Sequence, residues 1–90
     1  MKLRWTLTAQ ADLESAHDYI SKDNADAAAM TVNRILSGIN ALLHHPEMGR
    51  NGRLAKTREL VIPPFVVVYR VRDLVVEILA IVHGAQSWGL

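Results

Sequence analysis

The sequence predicts a single α+β domain in the order β-α-α-β-β-β, with an antiparallel helix hairpin packed on a small, mainly antiparallel sheet. Three observations predict this fold class. The chain opens with alternating apolar and polar residues, continues with two segments that repeat apolar residues every three or four positions, and ends in runs of β-branched residues. With 90 residues, positions 1–90 are expected to form one domain around one hydrophobic core.

The first half of the chain predicts one strand and two helices. Residues 2–7 alternate with a period of two, which is typical of a strand that buries one face. Thr8 is the expected N-cap of a first helix over residues 9–22, which carries a single apolar stripe. A turn at residues 23–26 should lead into a second, antiparallel helix, which ends at His45 because the following proline disfavours helical geometry there.

The second half of the chain predicts a loop and three strands. Residues 47–56 are polar, basic and glycine-containing and show no periodicity, which is typical of a loop. Three runs rich in β-branched residues follow: 57–62, 65–72 and 74–83. Pro63-Pro64 ends the first run, and Arg72-Asp73 is the expected reversal between the other two. Because consecutive strands with short links usually pair antiparallel, these three strands should do so.

The composition is that of a folded protein outside the membrane. Half of the residues are apolar and 21% are charged. The absence of cysteine excludes disulfides and thiolate metal sites. No apolar run approaches the roughly 18 to 20 residues of a spanning helix, and the amino terminus lacks the apolar core of a signal peptide. We therefore expect a cytoplasmic protein with no membrane partner.

Basic residues are unevenly distributed along the chain. The net charge of +1 argues against strong non-specific binding of nucleic acid. However, Arg50, Arg53, Lys56 and Arg58 fall within nine residues that contain no acid. This run predicts either a locally positive surface or an ordinary solvated loop.

The four histidines raise the question of a metal site. His44 and His45 are adjacent at the end of a predicted helix, so their side chains should point about 100° apart. No carboxylate follows at the spacing of a metal ligand, and a zinc site shared with His17 or His83 is therefore not expected. We expect no metal and no other cofactor.

Several blocks of the sequence resemble the RelE/ParE superfamily of toxins from type II toxin–antitoxin systems, and the ParE branch in particular. The opening Trp5-x-x-x-Ala9-x-x-Asp12-Leu13 is similar to the start of the family. The blocks similar to the ParE branch are Pro46-Glu47-Met48-Gly49-Arg50 followed by Gly52, Thr57-Arg58-Glu59-Leu60-Val61, Val67-Val68-Tyr69-Arg70-Val71, Ile78-Leu79 and His83-Gly84-Ala85. No block is diagnostic alone, but their order and spacing agree with the family over nearly the whole chain. The resemblance implies a toxin that a cognate antitoxin neutralises, and that contacts operator DNA only through this antitoxin.

The superfamily contains two activities, and the sequence favours one of them. RelE-like members are described as endonucleases that cut messenger RNA on the ribosome, and ParE-like members as inhibitors that bind DNA gyrase. RelE-like relatives are described with an arginine where this chain has Val66, a basic residue near the position of Ala80 and an ionisable residue near that of Gln86. The resemblance therefore implies a ParE-like toxin that blocks replication by binding gyrase and is not an enzyme.

Two alternatives stay open at this point. The first is a ribosome-dependent RNA endonuclease in which His83, Arg58 and Arg70 take catalytic roles. The second is a diverged, non-toxic member that only binds its antitoxin and helps it to repress their operon.

The residues expected to contact the target are Arg58, Arg70, Arg72 and Trp88. Arg70 and Arg72 share one face of a strand because of its period of two, and Arg58 is expected to join them from the neighbouring strand. The same face is equally explained as a solvated surface with Glu59 or Glu77 as ion-pair partners. Trp88 either folds back over the core or anchors in a pocket of the partner.

Tyr69 and His83 are the remaining residues with chemical potential. The Tyr69 ring is expected to pack against a helix with its hydroxyl at the edge of the core. His83 is either a strand-end histidine bonded to backbone or, because its ordinary pKa lies near neutrality, a general acid or base.

Overall fold

The computed structural model describes residues 1–84. It contains two helices, which pack on one face of a five-stranded sheet. The elements are β1 (Lys2–Trp5), α1 (Leu7–Ser21), α2 (Ala25–Ala41), β2 (Arg50–Asn51), β3 (Arg58–Ile62), β4 (Phe65–Arg72) and β5 (Val75–His83). The predicted α+β class is confirmed. The short strand β2 lies within the segment expected to be a loop.

The sheet is mixed, in the order β1-β5-β4-β3-β2. Strands β3 to β5 pair antiparallel as predicted, and the short β2 adds a further antiparallel pairing with β3. β1 instead pairs parallel with β5, and Lys2 lies opposite Val75. The helix hairpin supplies the long connection that parallel pairing requires, because it carries the chain away from β1 before the other strands form.

The first helix begins two residues before its predicted start. Its N-cap is Thr6, not Thr8, and the Thr6 Oγ1 accepts a hydrogen bond from the Ala9 amide at 3.1 Å. The Thr6 amide donates to the Ile78 carbonyl at 3.1 Å, so the sheet fixes the residue that caps the helix. Thr8 already lies inside the first turn of the helix. A threonine that binds both the sheet and the helix end is the better cap.

The apolar stripes of both helices cover one face of the sheet, as the spacing predicts. From α1 the stripe consists of Ala9, Leu13, Ala16 and Ile20, and from α2 and its end it includes Ile35, Ile39 and Leu42. These side chains pack on Val67, Tyr69 and Ile78 of the central strands. Among the described residues, no helix is long and apolar enough to cross a membrane.

The β4–β5 hairpin reverses at Asp73-Leu74, one residue later than predicted. Arg72 lies opposite Val75, which leaves a two-residue loop. Both loop residues have positive φ, 53° for Asp73 and 62° for Leu74. Positive φ at both central residues is the signature of the type I′ turn, which matches the twist of paired strands.

Candidate functional site on the outer face of the sheet

The sheet has a face covered by the helices and an opposite one, which we call the outer face. Residues directly opposite each other on paired strands point to the same side, so the register assigns each strand position to a face. The outer face carries Val61, Val66, Val82, Glu59, Val68 and Ala80 towards one end, and Arg70, Glu77, Arg4, Arg72, Val75 and Lys2 towards the other. One end is therefore mainly apolar and the other is charged.

The charged end contains three arginines around one carboxylate, and we call these residues the arginine cluster (Arg4, Arg70, Arg72 and Glu77). The Arg70 Nε donates to the Glu77 carboxylate at 2.6 Å, and the Arg4 Nε lies 3.5 Å from its other oxygen. The hydrogen bond from Arg70, supported by the charges of Arg4 and Arg72, holds the pKa of Glu77 below its ordinary value. A single ionised carboxylate leaves the cluster with a net positive charge.

Arg70 and Arg72 lie on one face of the sheet, as predicted. Arg70 forms an ion pair with Glu77, one of the two partners expected for a solvated surface. Glu59 binds a different arginine. Its carboxylate is only 2% exposed and accepts from the Arg50 Nη2 at 3.0 Å and from the Arg53 amide at 2.9 Å. Part of the basic run is therefore neutralised by a buried acid.

The expectation that Arg58 joins Arg70 and Arg72 is wrong. Arg58 lies directly opposite Tyr69, so its side chain leaves the sheet on the helix-covered side. There its Nη1 donates to the Gly49 carbonyl at 2.8 Å. Arg58 thus stabilises the loop after α2 through this hydrogen bond, whereas Arg70 and Arg72 lie on the outer face of the sheet.

Tyr69 has the structural role that the sequence predicts. Its ring is fully buried, and its hydroxyl donates to the Pro46 carbonyl at 2.7 Å and accepts from the Gly49 amide at 2.9 Å. Burial raises the pKa of this hydroxyl, against the opposing effects of the Gly49 hydrogen bond and the Arg58 charge. The phenol therefore stays protonated and ties the loop after α2 to the sheet.

His83 lies on the helix-covered face, at the end of β5. It is opposite Phe65, with the two ring centroids 5.7 Å apart in an edge-on arrangement. It lines a groove of about 390 Å³ together with side chains of α1, including Asp12 and Tyr19. Four strand positions separate this pair from the Tyr69–Arg58 pair, which is about 13 Å at the usual rise of a strand.

The three residues considered for RNA cleavage are therefore not brought together. His83 and Arg58 lie on the helix-covered face at separate positions along β4, and Arg70 points to the outer face. Within the part of the chain that the structure describes, no group of three histidine, aspartate or glutamate side chains is arranged to hold a metal ion.

Comparison with known proteins identifies the family. Residues 3–88 match the family described as the ParE toxin of the type II toxin–antitoxin system parDE. The chain belongs to this family. It is 46% identical to the putative toxin Y4kP of Sinorhizobium fredii, over 97% of this chain and 92% of that protein. It is also 35% identical to the toxin RelE2 of Caulobacter vibrioides, over 91% and 93% of the two chains.

Solved structures of toxin–antitoxin systems share the fold. A chain from the chromosomal ParDE system of P. aeruginosa superimposes with a TM-score of 0.81 and 28% identity, covering 92% of this chain and 95% of that one. A chain from the RelBE2 toxin–antitoxin complex of Mycobacterium tuberculosis gives a TM-score of 0.67 at 22% identity, covering 91% and 95%. The likeness to RelBE2 concerns the fold alone. The ParE-type toxin fold is thus established for this chain.

Val66 and Ala80, two of the positions where the sequence comparison expected charge in a RelE-like toxin, both lie on the outer face. Val66 is 5% exposed and lies on the outer face between Val61 and Val82. Ala80 lies beside Val68 on the same face. Together these five residues form what we call the apolar strip. The predictions about Gln86 and Trp88 concern positions outside the described residues.

Sequence reasoning missed Arg4 as a member of the site. The alternation of β1 placed Arg4 on the opposite face from Leu3 and Trp5, but it did not reveal that β1 pairs with β5, which places Arg4 next to Glu77.

The charges of the chain also differ between the helix layer and the sheet. Residues 7–45, which contain both helices, carry five acidic and two basic side chains, and the rest of the chain carries four acidic and eight basic ones. The sheet and its loops are therefore the positive side of the toxin.

Proposed function

We propose that this toxin arrests growth by binding DNA gyrase, without chemistry of its own, and that a cognate antitoxin neutralises it. The observation that carries the proposal is the outer face, where the arginine cluster adjoins the apolar strip. Val61, Ala80 and Val82 of this strip keep exposed area, whereas Val66 and Val68 are buried. Such a surface suits contact with a protein, because apolar burial supplies affinity and charge supplies orientation. Membership of the ParE family supports the same conclusion.

The competing activity, RNA cleavage on the ribosome, receives less support from the geometry. Cleavage through a 2′-hydroxyl requires a base near that hydroxyl, a cation at the scissile phosphate and an acid for the leaving oxygen. His83, Arg58 and Arg70 do not face one common point, because Arg70 lies on the other side of the sheet. A single phosphate could not contact all three.

An antitoxin partner follows from the relatives. The P. aeruginosa chain belongs to a ParDE toxin–antitoxin system, and the family that this chain matches is the toxin of such a system. Val61, Ala80 and Val82, the members of the apolar strip that keep exposed area, offer an antitoxin segment apolar side chains to pack on.

The direct test combines purified toxin with gyrase, relaxed plasmid and ATP, and measures supercoiling and binding. We expect dose-dependent loss of supercoiling that the antitoxin reverses. Arg72→Ala should weaken inhibition several-fold because it removes an exposed cation of the outer face. Lys22→Ala is the matched control, because it removes an exposed cation at the end of α1 and should leave inhibition unchanged.

Two outcomes would contradict the proposal. Unaltered supercoiling together with an absence of gyrase binding would exclude gyrase as the target. New 5′ ends in toeprinting on translating ribosomes would instead support the endonuclease. Loss of those ends in both His83→Ala and Arg70→Ala would then assign catalytic roles to residues on opposite faces, against the geometry described above.

A further inference from the structure

The tip of the β4–β5 hairpin contains a residue that its backbone does not favour. A type I′ turn requires positive φ at both central residues, and asparagine, aspartate and glycine are the residues that adopt it readily. Asp73 fits this preference. Leu74 has φ of 62°, a conformation in which the Cβ of an ordinary L-residue crowds the following carbonyl oxygen. Leucine at this position therefore destabilises the turn relative to asparagine or glycine.

Burial does not compensate for this cost. Leu74 is 74% exposed at the end of the hairpin. Single exposed apolar side chains are common on protein surfaces and need no explanation by themselves. The combination of exposure with an unfavourable backbone is different, because neither the fold nor the turn gains from the leucine. Strained residues of this kind concentrate where a protein contacts its partners.

The tip is hydrogen-bonded to β1 and has charged neighbours. The Lys2 amide donates to the Leu74 carbonyl at 3.0 Å, which fixes the turn to β1. Beside the turn lies a recess of about 150 Å³, large enough for a small side chain, which is lined by Arg4, Arg72, Asp73, Val75 and Glu77. The Arg4 side chain is 71% exposed although it approaches Glu77. A fixed apolar side chain next to two exposed guanidinium groups is already arranged for binding.

We propose that this tip is the element by which the toxin anchors to its protein target. Leu74 enters an apolar pocket of the partner, and an aspartate or glutamate of the partner pairs with the exposed Arg72 at the rim of the recess, since Arg4 already approaches Glu77. The partner is a protein rather than a nucleic acid, because an aliphatic side chain neither stacks on bases nor bonds to them, and no residue lining the recess is aromatic. The assignment of gyrase as that partner rests on the function proposed above.

The test uses substitutions that suit the turn better than the natural residue does. Leu74→Gly creates the Asp-Gly pair favoured in type I′ turns, and Leu74→Asn places another favoured residue there. Both variants should keep or raise the midpoint of thermal unfolding and should bind gyrase at least tenfold more weakly. Replacing a residue that has only a structural role would not raise the unfolding midpoint and weaken gyrase binding at the same time. Met30→Gln is the control, because Met30 is 65% exposed on α2 and its replacement should leave binding unchanged.

The role of the recess is tested by measuring gyrase binding at different salt concentrations. Binding of the wild-type toxin should weaken as ionic strength rises, because exposed ion pairs are screened. Arg72→Gln should weaken binding at low salt and make it less dependent on salt. Wild-type affinity of Leu74→Gly and Leu74→Asn, or a loss of affinity in Met30→Gln of the same size as theirs, would overturn the proposal.

The proposal about the tip can fail separately from the proposal about gyrase. If wild-type toxin does not bind gyrase, the assignment of gyrase fails, and growth arrest on induction then decides about the tip. A folded Leu74→Gly toxin that no longer arrests growth supports the tip as the anchor for another protein. A Leu74→Gly toxin that arrests growth as strongly as the wild type, or a wild-type toxin that arrests no growth, overturns it.

Discussion

Replacing Tyr69 by phenylalanine isolates the hydroxyl that ties the loop after α2 to the sheet. The ring keeps its place in the core, so the substitution removes two hydrogen bonds and little apolar contact. It leaves the buried Gly49 amide and the partly buried Pro46 carbonyl without that partner. Each bond contributes about 1 kcal/mol net, and an unsatisfied buried group costs more than the bond itself.

The expected loss is therefore about 2 kcal/mol in the free energy of unfolding. For a domain of this size, about 1 kcal/mol corresponds to roughly 4 to 8 °C in the unfolding midpoint, so Tyr69→Phe should lower it by roughly 8 to 16 °C. Urea unfolding followed by circular dichroism measures the free energy, and a thermal scan measures the midpoint.

Tyr19→Phe is the matched control for this experiment. Tyr19 is 74% exposed on α1, so the same chemical change should alter stability by less than about 0.5 kcal/mol. A Tyr69→Phe protein as stable as Tyr19→Phe would refute the reasoning, because it would mean that the loop is held to the sheet without the phenol.

Two further predictions concern the same loop and the arginine cluster. In Gly49→Ala, the added Cβ would lie 2.6 Å from the Tyr69 hydroxyl and 2.9 Å from the Glu59 carbonyl, so we expect a loss of about 2 kcal/mol in urea unfolding. In Gly38→Ala the atom nearest to the added Cβ is the flexible end of the Ile62 side chain. Alanine also favours the helix over glycine by about 1 kcal/mol, so the free energy of unfolding should change little. Equal losses of stability in Gly49→Ala and Gly38→Ala would contradict this expectation. The lowered pKa of Glu77 stabilises the fold above the ordinary glutamate value of 4.5, and this contribution is lost as pH falls through the lower folded-state pKa. The difference in unfolding free energy between wild type and Glu77→Gln should therefore be largest near neutrality and shrink below about pH 4; a difference independent of pH would rule out the ion pairs as its cause.

The sequence predicted the helices well because their apolar stripes depend only on local spacing, and the structure confirms the buried faces that these stripes predict. The β-branched runs likewise predicted β4 and β5, although residues 65–69 are buried on both faces of the sheet. The Thr8 cap was misplaced by two residues because local spacing does not show where β1 ends. The parallel partner of β1 also escaped prediction, since that pairing joins residues more than 70 positions apart.

The error about Arg58 has a different origin. The two-residue link Pro63-Pro64 sets Ile62 opposite Phe65, and counting outwards from there places Arg58 opposite Tyr69. The sequence thus contained the signal, because the length of a hairpin loop fixes the register of its strands. The register shift in β5, which leaves Leu79 without an opposite residue, has no comparable local signal.

We propose that this toxin acts by binding a protein and cuts no RNA. One induced culture tests it, if plasmid supercoiling and the 5′ ends of cellular messenger RNA are measured in the same cells shortly after induction without antitoxin. We expect altered supercoiling with unchanged 5′ ends. New 5′ ends within coding regions, together with unaltered supercoiling, would contradict it.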